Sequence, residues 1–447
     1  MKSRAIHILG LLLALMLFTG CSGTFRSASL NGNDISEYTI VYDQSAPDYC
    51  QRAAEYIQEQ IRQRTGIELP VCEAAAGTYA HEIVVGETDR AISTQLDAAT
   101  ENVEFAILAD QDHIALEGDY FVIAAAAYYF VETYIPGEQF RSTVPEEISI
   151  HEPITEKANN FIFLIGDGMG VNHTRLFEYT DLPRDTALSD NEDIFYGYYL
   201  PYQGELRTDS LSGVTDSAAG ATALACGYKT MNGYVGRDSE LNDLVSLTEL
   251  AGSLGKATAV MSTEDSTGAT PAGFSAHAND RDDTDDILDS QAQTTEKFGT
   301  VFTCGLHYFP DNYQEYITHT LDELDKSENG FFLMYEEAYI DKFSHNWQLE
   351  GTFEALITFN QAIGLFMEYA FYNPDTFLII TADHETGGLL PEDDGTFSYN
   401  YAGHTGAYVP IFGYGQGAEV FDGFSNENTQ VPKVIAALWG VEDFGDN

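Results

Sequence analysis

The sequence predicts an α/β chain: a doubly wound, mostly parallel sheet preceded by a smaller α+β unit. Three observations carry this. From Asn159 onward apolar strands alternate with helical segments, as parallel strands joined by crossover helices do. Three of those strands, Phe161–Ile165, Phe331–Tyr335 and Phe377–Ile380, run into acids or glycines, and such sheets bind ligands beyond the carboxyl ends of their strands. Before residue 150 the strands are short and accompany two helices, and 447 residues are too many for one ordinary domain.

Residues 1–21 read as a targeting segment. Lys2 and Arg4 give a positive start, and Ile6 to Phe18 is apolar but too short to span a membrane. Phe18-Thr19-Gly20-Cys21 resembles a bacterial lipobox, which implies a lipid on Cys21 and an extracytoplasmic protein anchored to a membrane. Residues 22–35, rich in Ser, Gly and Asn, read as a tether.

Residues 36–150 form the smaller unit. Tyr38–Tyr42, Ile67–Cys72, Glu82–Gly86 and Glu104–Leu108 have strand character, with Ile114–Glu117 closing a hairpin. Asp48–Arg64 and Phe121–Tyr134 have helical spacing, and Pro145–Lys157 leads out. This pattern resembles the accessory domain before the catalytic barrel of glycoside hydrolases such as hexosaminidases and α-glucuronidases. That resemblance implies possible glycan contact; a spacer is the plainer reading.

A net charge of −51 excludes a nucleic-acid binder, which needs a basic face. It also means that an anionic substrate is repelled unless bound cations reverse the local sign. Beyond Cys21 there are four cysteines, Cys50, Cys72, Cys226 and Cys304, with no CxxC pair, so thiolate zinc is not expected. Export permits a disulfide, with Cys50 and Cys72 nearest in sequence; buried thiols are the alternative.

Residues 158–447 form the larger unit, and the chemistry gathers there. In Val214–Thr222 a serine precedes residues almost without side chains. Asp216 is placed to cap a helix and Ser217 to sit at its positive end, where an anion or alkoxide is favoured. Gly166-Asp167-Gly168 follows the first strand, Glu336 the second, and Asp383-His384 the third, with Gly403-His404 beyond. Asp341 and His345 are four apart, which puts both on one face of a helical turn. Imidazoles with carboxylates suit zinc, and all-oxygen sets suit magnesium. Thr270 and Arg281 are eleven apart; a helical run between them would put both on one face and aim a guanidinium at phosphate oxygens. Asp282–Asp289 reads as a solvated helix start.

From Asn160 to Phe412 these residues resemble the alkaline phosphatase family, in the family's chain order. The resemblance implies that Ser217 is phosphorylated during turnover. It implies one zinc on Asp341, His345 and His404, and a second on Asp167, Asp383 and His384 with Ser217 beside it. Magnesium would take Asp167, Thr270 and Glu336, and Arg281 would hold the phosphate of small phosphorylated substrates. Two departures stand out. Gly268 occupies a place where many relatives carry an acid or a histidine beside magnesium, which implies a loosely held ion. His384 and His404 are twenty positions apart, where many relatives insert a long crown segment used in dimerisation, so the oligomeric state stays open. A sulfatase would need Cys or Ser followed by x-Pro-x-Arg, and that run is absent. A phosphodiesterase of the same superfamily and a non-catalytic glycan-binding lipoprotein are the alternative readings.

Overall fold

The computed structural model describes residues 28–95, 105–118, 120–151, 153–178, 194–309 and 312–445. The expected signal peptide, Cys21 and residues 22–27 lie outside them.

The larger unit is built on an eight-stranded sheet. Its order is Val301–Thr303, Ala257–Ser262, Phe331–Glu337, Asn160–Gly166, Thr376–Thr381, Val409–Tyr414, Tyr202–Arg207, Ser425–Glu427. The first five strands are parallel, and Val409–Tyr414 runs against both neighbours. The fold is therefore the mostly parallel α/β sheet that the sequence predicts. Asn160–Gly166, Phe331–Glu337 and Thr376–Thr381 are buried at every residue, because helices cover both faces of such a sheet. Ile165 lies opposite both Glu336 and Thr381. Asp167, Glu336 and Asp383 thus leave the sheet at one edge.

The smaller unit has a six-stranded mixed sheet in the order Val71–Glu73, Tyr38–Tyr42, His81–Val85, His113–Gly118, Phe105–Ala109, Glu147–Ile150. The helices Asp48–Thr65 and Val122–Tyr134 accompany it, and the last hairpin is antiparallel. Of the expected tether, residues 28–35 are packed into the smaller unit. Ala28–Leu30 pairs in parallel with Phe140–Ser142, and Asn31 donates its N–H to the Ser142 carbonyl at 2.9 Å. Leu30 and Ile35 are fully buried; two apolar anchors outweigh a flexible composition once they reach the core. The lead-out also begins later, since Glu147–Ile150 is still a strand.

The smaller unit docks on the long helix Leu349–Tyr372. Phe121 lies against Gly364, where a Cβ would come within 2.3 Å of the ring. Tyr56 stacks on Tyr372 with centroids 4.3 Å apart, and Arg52 pairs with Glu368 at 2.7 Å. Cys50, Cys72, Cys226 and Cys304 are all free, so no disulfide joins them. Among the described residues, no helix is long and apolar enough to cross a membrane.

Candidate active site

Ser217 opens the helix Ser217–Cys226, whose residues are all buried. Asp216 caps it by accepting from the Ala219 N–H at 3.0 Å. The small residues let this helix come close to two others parts of the site. A Cβ on Gly220 would lie 3.0 Å from the Asp383 carbonyl oxygen, and one on Gly273 would lie 2.7 Å from the Ala221 Cβ. That closeness brings the Ser217 hydroxyl to 3.2 Å from His384 Nε2.

Two clusters of possible metal ligands flank the serine: Asp341, His345 and His404, and Asp167, Asp383 and His384. In the first, His345 Nδ1 donates to the Ala402 carbonyl at 2.8 Å and His404 Nδ1 to the Thr215 carbonyl at 2.9 Å. These partners assign both protons to Nδ1. The two Nε2 lone pairs then face each other at 2.9 Å, with Asp341 Oδ1 at 3.4 and 3.6 Å. Facing lone pairs repel, and a cation between them removes the conflict. In the second cluster Thr386 donates to Asp341 and so accepts from His384 Nδ1 at 3.2 Å. His384 Nε2 is left aimed at Asp383 and Asp167, 3.2 and 3.4 Å away. The His384 and His404 rings stack at 3.6 Å.

The electrostatics call for positive charge. Burial, then repulsion from Asp383 and Asp341, raises the Asp167 pKa well above the carboxylate range. Asp383 is pushed up to about 8 by burial and then by Asp341. Asp167 Oδ1, Asp383 Oδ2 and Glu336 Oε1 are buried without a hydrogen-bond partner. A buried polar atom of this kind is costly unless something unaccounted for satisfies it. The residues therefore fit metal ions.

A third group lies around Glu336. Burial and then Glu264 raise its pKa, against the hydroxyls of Ser262 and Thr270. Thr270 is fully buried on the helix Ala269–Ser275. That helix does not run on to Arg281, as the eleven-residue spacing suggested. Ala276 is extended and Ala278 bridges to Val235, so Thr270 and Arg281 share no helical face. Arg281 arrives on a loop instead, its N–H bonded to the Gly233 carbonyl at 2.8 Å. Its guanidinium lies 3.4 Å from Asp216 Oδ2. Burial works against that charge, but Asp216 and Asp167 outweigh it and raise the pKa.

A family model for alkaline phosphatase matches residues 158–306 and 312–400, more than half of the chain. The chain belongs to this family. Among alkaline phosphatases, Alkaline phosphatase 3 of Bacillus subtilis is 26% identical over 299 residues, covering 55% of this chain and 64% of its own. The repressible alkaline phosphatase of Saccharomyces cerevisiae is 28% identical, covering 55% and 58%. The chain thus spans less than two thirds of these relatives' length. A solved variant of the alkaline phosphatase from the Antarctic bacterium TAB5, with magnesium bound, shares the fold. Its TM-score is 0.54 at 24% identity, over 65% of this chain and 99% of that one.

Sequence reasoning missed Glu264 and Lys342. Gly268 has no side chain, but a Cβ there would sit 1.8 Å from Glu264 Oε1. The Glu264 carboxylate already fills that space and pairs with Lys342 at 2.6 Å. Position 268 therefore does not leave the acid beside Glu336 missing. The available signal was an acid four residues ahead of the glycine.

Proposed function

We propose that this chain hydrolyses phosphate monoesters through a phosphoserine on Ser217, outside the cytoplasm. Two zinc ions on the flanking triads and one magnesium on Asp167, Thr270 and Glu336 complete the site. The observation that carries this is the convergence of two carboxylate–imidazole triads on one buried serine at the start of a helix. The magnesium-bound TAB5 relative supports the third ion. When bound, the metals supply positive charge that lowers hydroxyl pKa values and stabilises the oxygens of a transferring phosphate.

The rest falls to the chain. Ser217 Oγ sits at the first turn of its helix, where the dipole favours the negative charge that develops as its proton leaves. It attacks phosphorus, the new bond joins Oγ to phosphorus, and the ester oxygen departs with its electron pair. Water then cleaves the phosphoserine and frees Ser217. Arg281 offers a planar donor pair to the equatorial oxygens, a geometry that suits phosphate. Asp216 caps the serine's helix and also holds Arg281, so nucleophile and phosphate clamp share one support.

The test is Ser217→Ala. Turnover of p-nitrophenyl phosphate falls by several orders of magnitude while zinc content is unchanged. Activity within a few-fold of the parent would remove the serine from the mechanism. Comparison with bis-p-nitrophenyl phosphate separates the monoesterase from a diesterase.

A further inference from the structure

Two residues after the metal-cluster histidine His345 stands Trp347, with φ +57° and 53% of its surface exposed. Its backbone explains the angle. The helix Tyr339–His345 ends with Trp347 donating its N–H to the Ser344 carbonyl at 3.1 Å and Gln348 to the Phe343 carbonyl at 3.0 Å. This is a Schellman turn, and Trp347 holds its left-handed position, which normally belongs to glycine. A bulky residue there is an outlier, and strain of this kind clusters at functional sites. Burial does not account for it, because half of the side chain is in solvent.

The indole is nonetheless fixed. Its N–H donates to the Tyr401 carbonyl at 3.1 Å, one residue before the Ala402 carbonyl that holds His345. Trp347 Cα is no more than about 7.6 Å from that of His345. Tyr401 is itself 56% exposed. A strained, solvent-facing ring is therefore pinned to the same segment, Tyr401–Ala402, that holds His345 of the Asp341–His345–His404 cluster.

We infer that Trp347, with Tyr401 beside it, is a stacking platform for the leaving group, and that the preferred substrates are nucleoside 5′-monophosphates. This rests on the phosphomonoesterase reading. A nucleobase suits the position because every base has a flat face for an aromatic ring and needs no hydrogen-bond readout. It carries no charge, so the protein's acidity does not repel it.

The experiment compares adenosine 5′-monophosphate with ribose 5-phosphate, the same type of ester without the base, on the metal-loaded enzyme. Trp347→Gly removes the ring and suits the left-handed backbone, so its Tm rises. Its KM for the nucleotide increases about fivefold or more relative to that for ribose 5-phosphate. Trp347→Phe retains most of the nucleotide preference. An unchanged KM ratio in Trp347→Gly overturns the proposal. So does a larger loss on phosphocholine than on the nucleotide, which would assign the ring to a quaternary ammonium. Fluorescence separates this from the parent reading. The chain has two tryptophans, and Trp439 is packed against Phe161 and Phe332. In Ser217→Ala, the nucleotide quenches emission and ribose 5-phosphate does not. Absence of turnover on both esters in the parent would sink the phosphatase reading alone, whereas absence of quenching would sink the platform alone.

Discussion

At position 268 one residue has taken over the space of another. The Glu264 carboxylate lies where a Cβ would be, and Lys342 holds it there. Adding a side chain therefore removes an acid rather than supplying one. Gly268→Asp is expected to displace Glu264 and cost about 1–3 kcal/mol from overpacking, read as a lower Tm. Its φ is −56°, so backbone conformation is not the obstacle. Glu264→Gln keeps the shape and loses the charge; magnesium retention after dialysis should weaken by about tenfold. A Gly268→Asp protein as stable as the parent, with tighter magnesium, would show that Glu264 yields freely. The sequence showed which residue was absent at 268. It did not show what fills the gap, because that depends on how the non-helical turn between Glu264 and Gly268 folds that side chain back.

At the scale of elements, what was legible depended on length and burial. Phe161–Ile165, Phe331–Tyr335 and Phe377–Ile380 are continuous apolar runs, and all are strands within a residue or two of those bounds. The edge strands Val301–Thr303 and Ser425–Glu427 have three residues each, too few to show a period. The helix toward Arg281 failed for a different reason: Asn279 and Asp280 favour turns, and the extended chain there pairs with Val235. Two predictions belong here. Gly273→Leu would drive the helix Ala269–Ser275 away from Ser217–Cys226; activity should fall more than zinc content, because the serine moves and the triads do not. His277 links the same loop to the cap of the helix Leu247–Ser253, touching the Gly236 carbonyl at 2.9 Å and Glu249 at 3.3 Å. Burial disfavours the charged imidazole, but Glu249 outweighs it and raises the His277 pKa above 6.5. Burial likewise opposes the Glu249 charge, and His277 outweighs it, so that pKa falls below 4.5. The histidine's stabilisation is full below 6.5 and fades as pH rises through its folded value. The glutamate's is full above 4.5 and fades as pH falls through its own. His277→Gln should thus cost about 1 kcal/mol in urea denaturation at pH 5.5 and clearly less at pH 8.5. An equal loss at both would show that the imidazole acts uncharged.

At the scale of the whole molecule, the smaller unit is joined to the larger by a ring stack, an ion pair and the Phe121–Gly364 contact, not by a bare linker. Residues 1–21 read as a lipoprotein leader, and Cys21→Ala should shift the protein from the membrane fraction to the soluble one. A fraction unmoved by that change would mean that another segment holds it. The two triads are also linked along the chain. Glu385 and Thr386 pair with Thr405 and His404, and the Gly387 N–H donates to the Gly403 carbonyl at 3.0 Å. Ladder register, rather than the length of the excursion between them, sets how His384 and His404 face each other. The tip of that excursion, Asp393 to Gly395, is exposed, and nothing lies within 4 Å of a Cβ on Gly395. Doubling a flexible loop costs only about 0.6 kcal/mol. The tip is therefore a socket: a binding module or reporter spliced there would be carried on a base, the Glu385–Thr386 and His404–Thr405 ladder, that keeps its geometry.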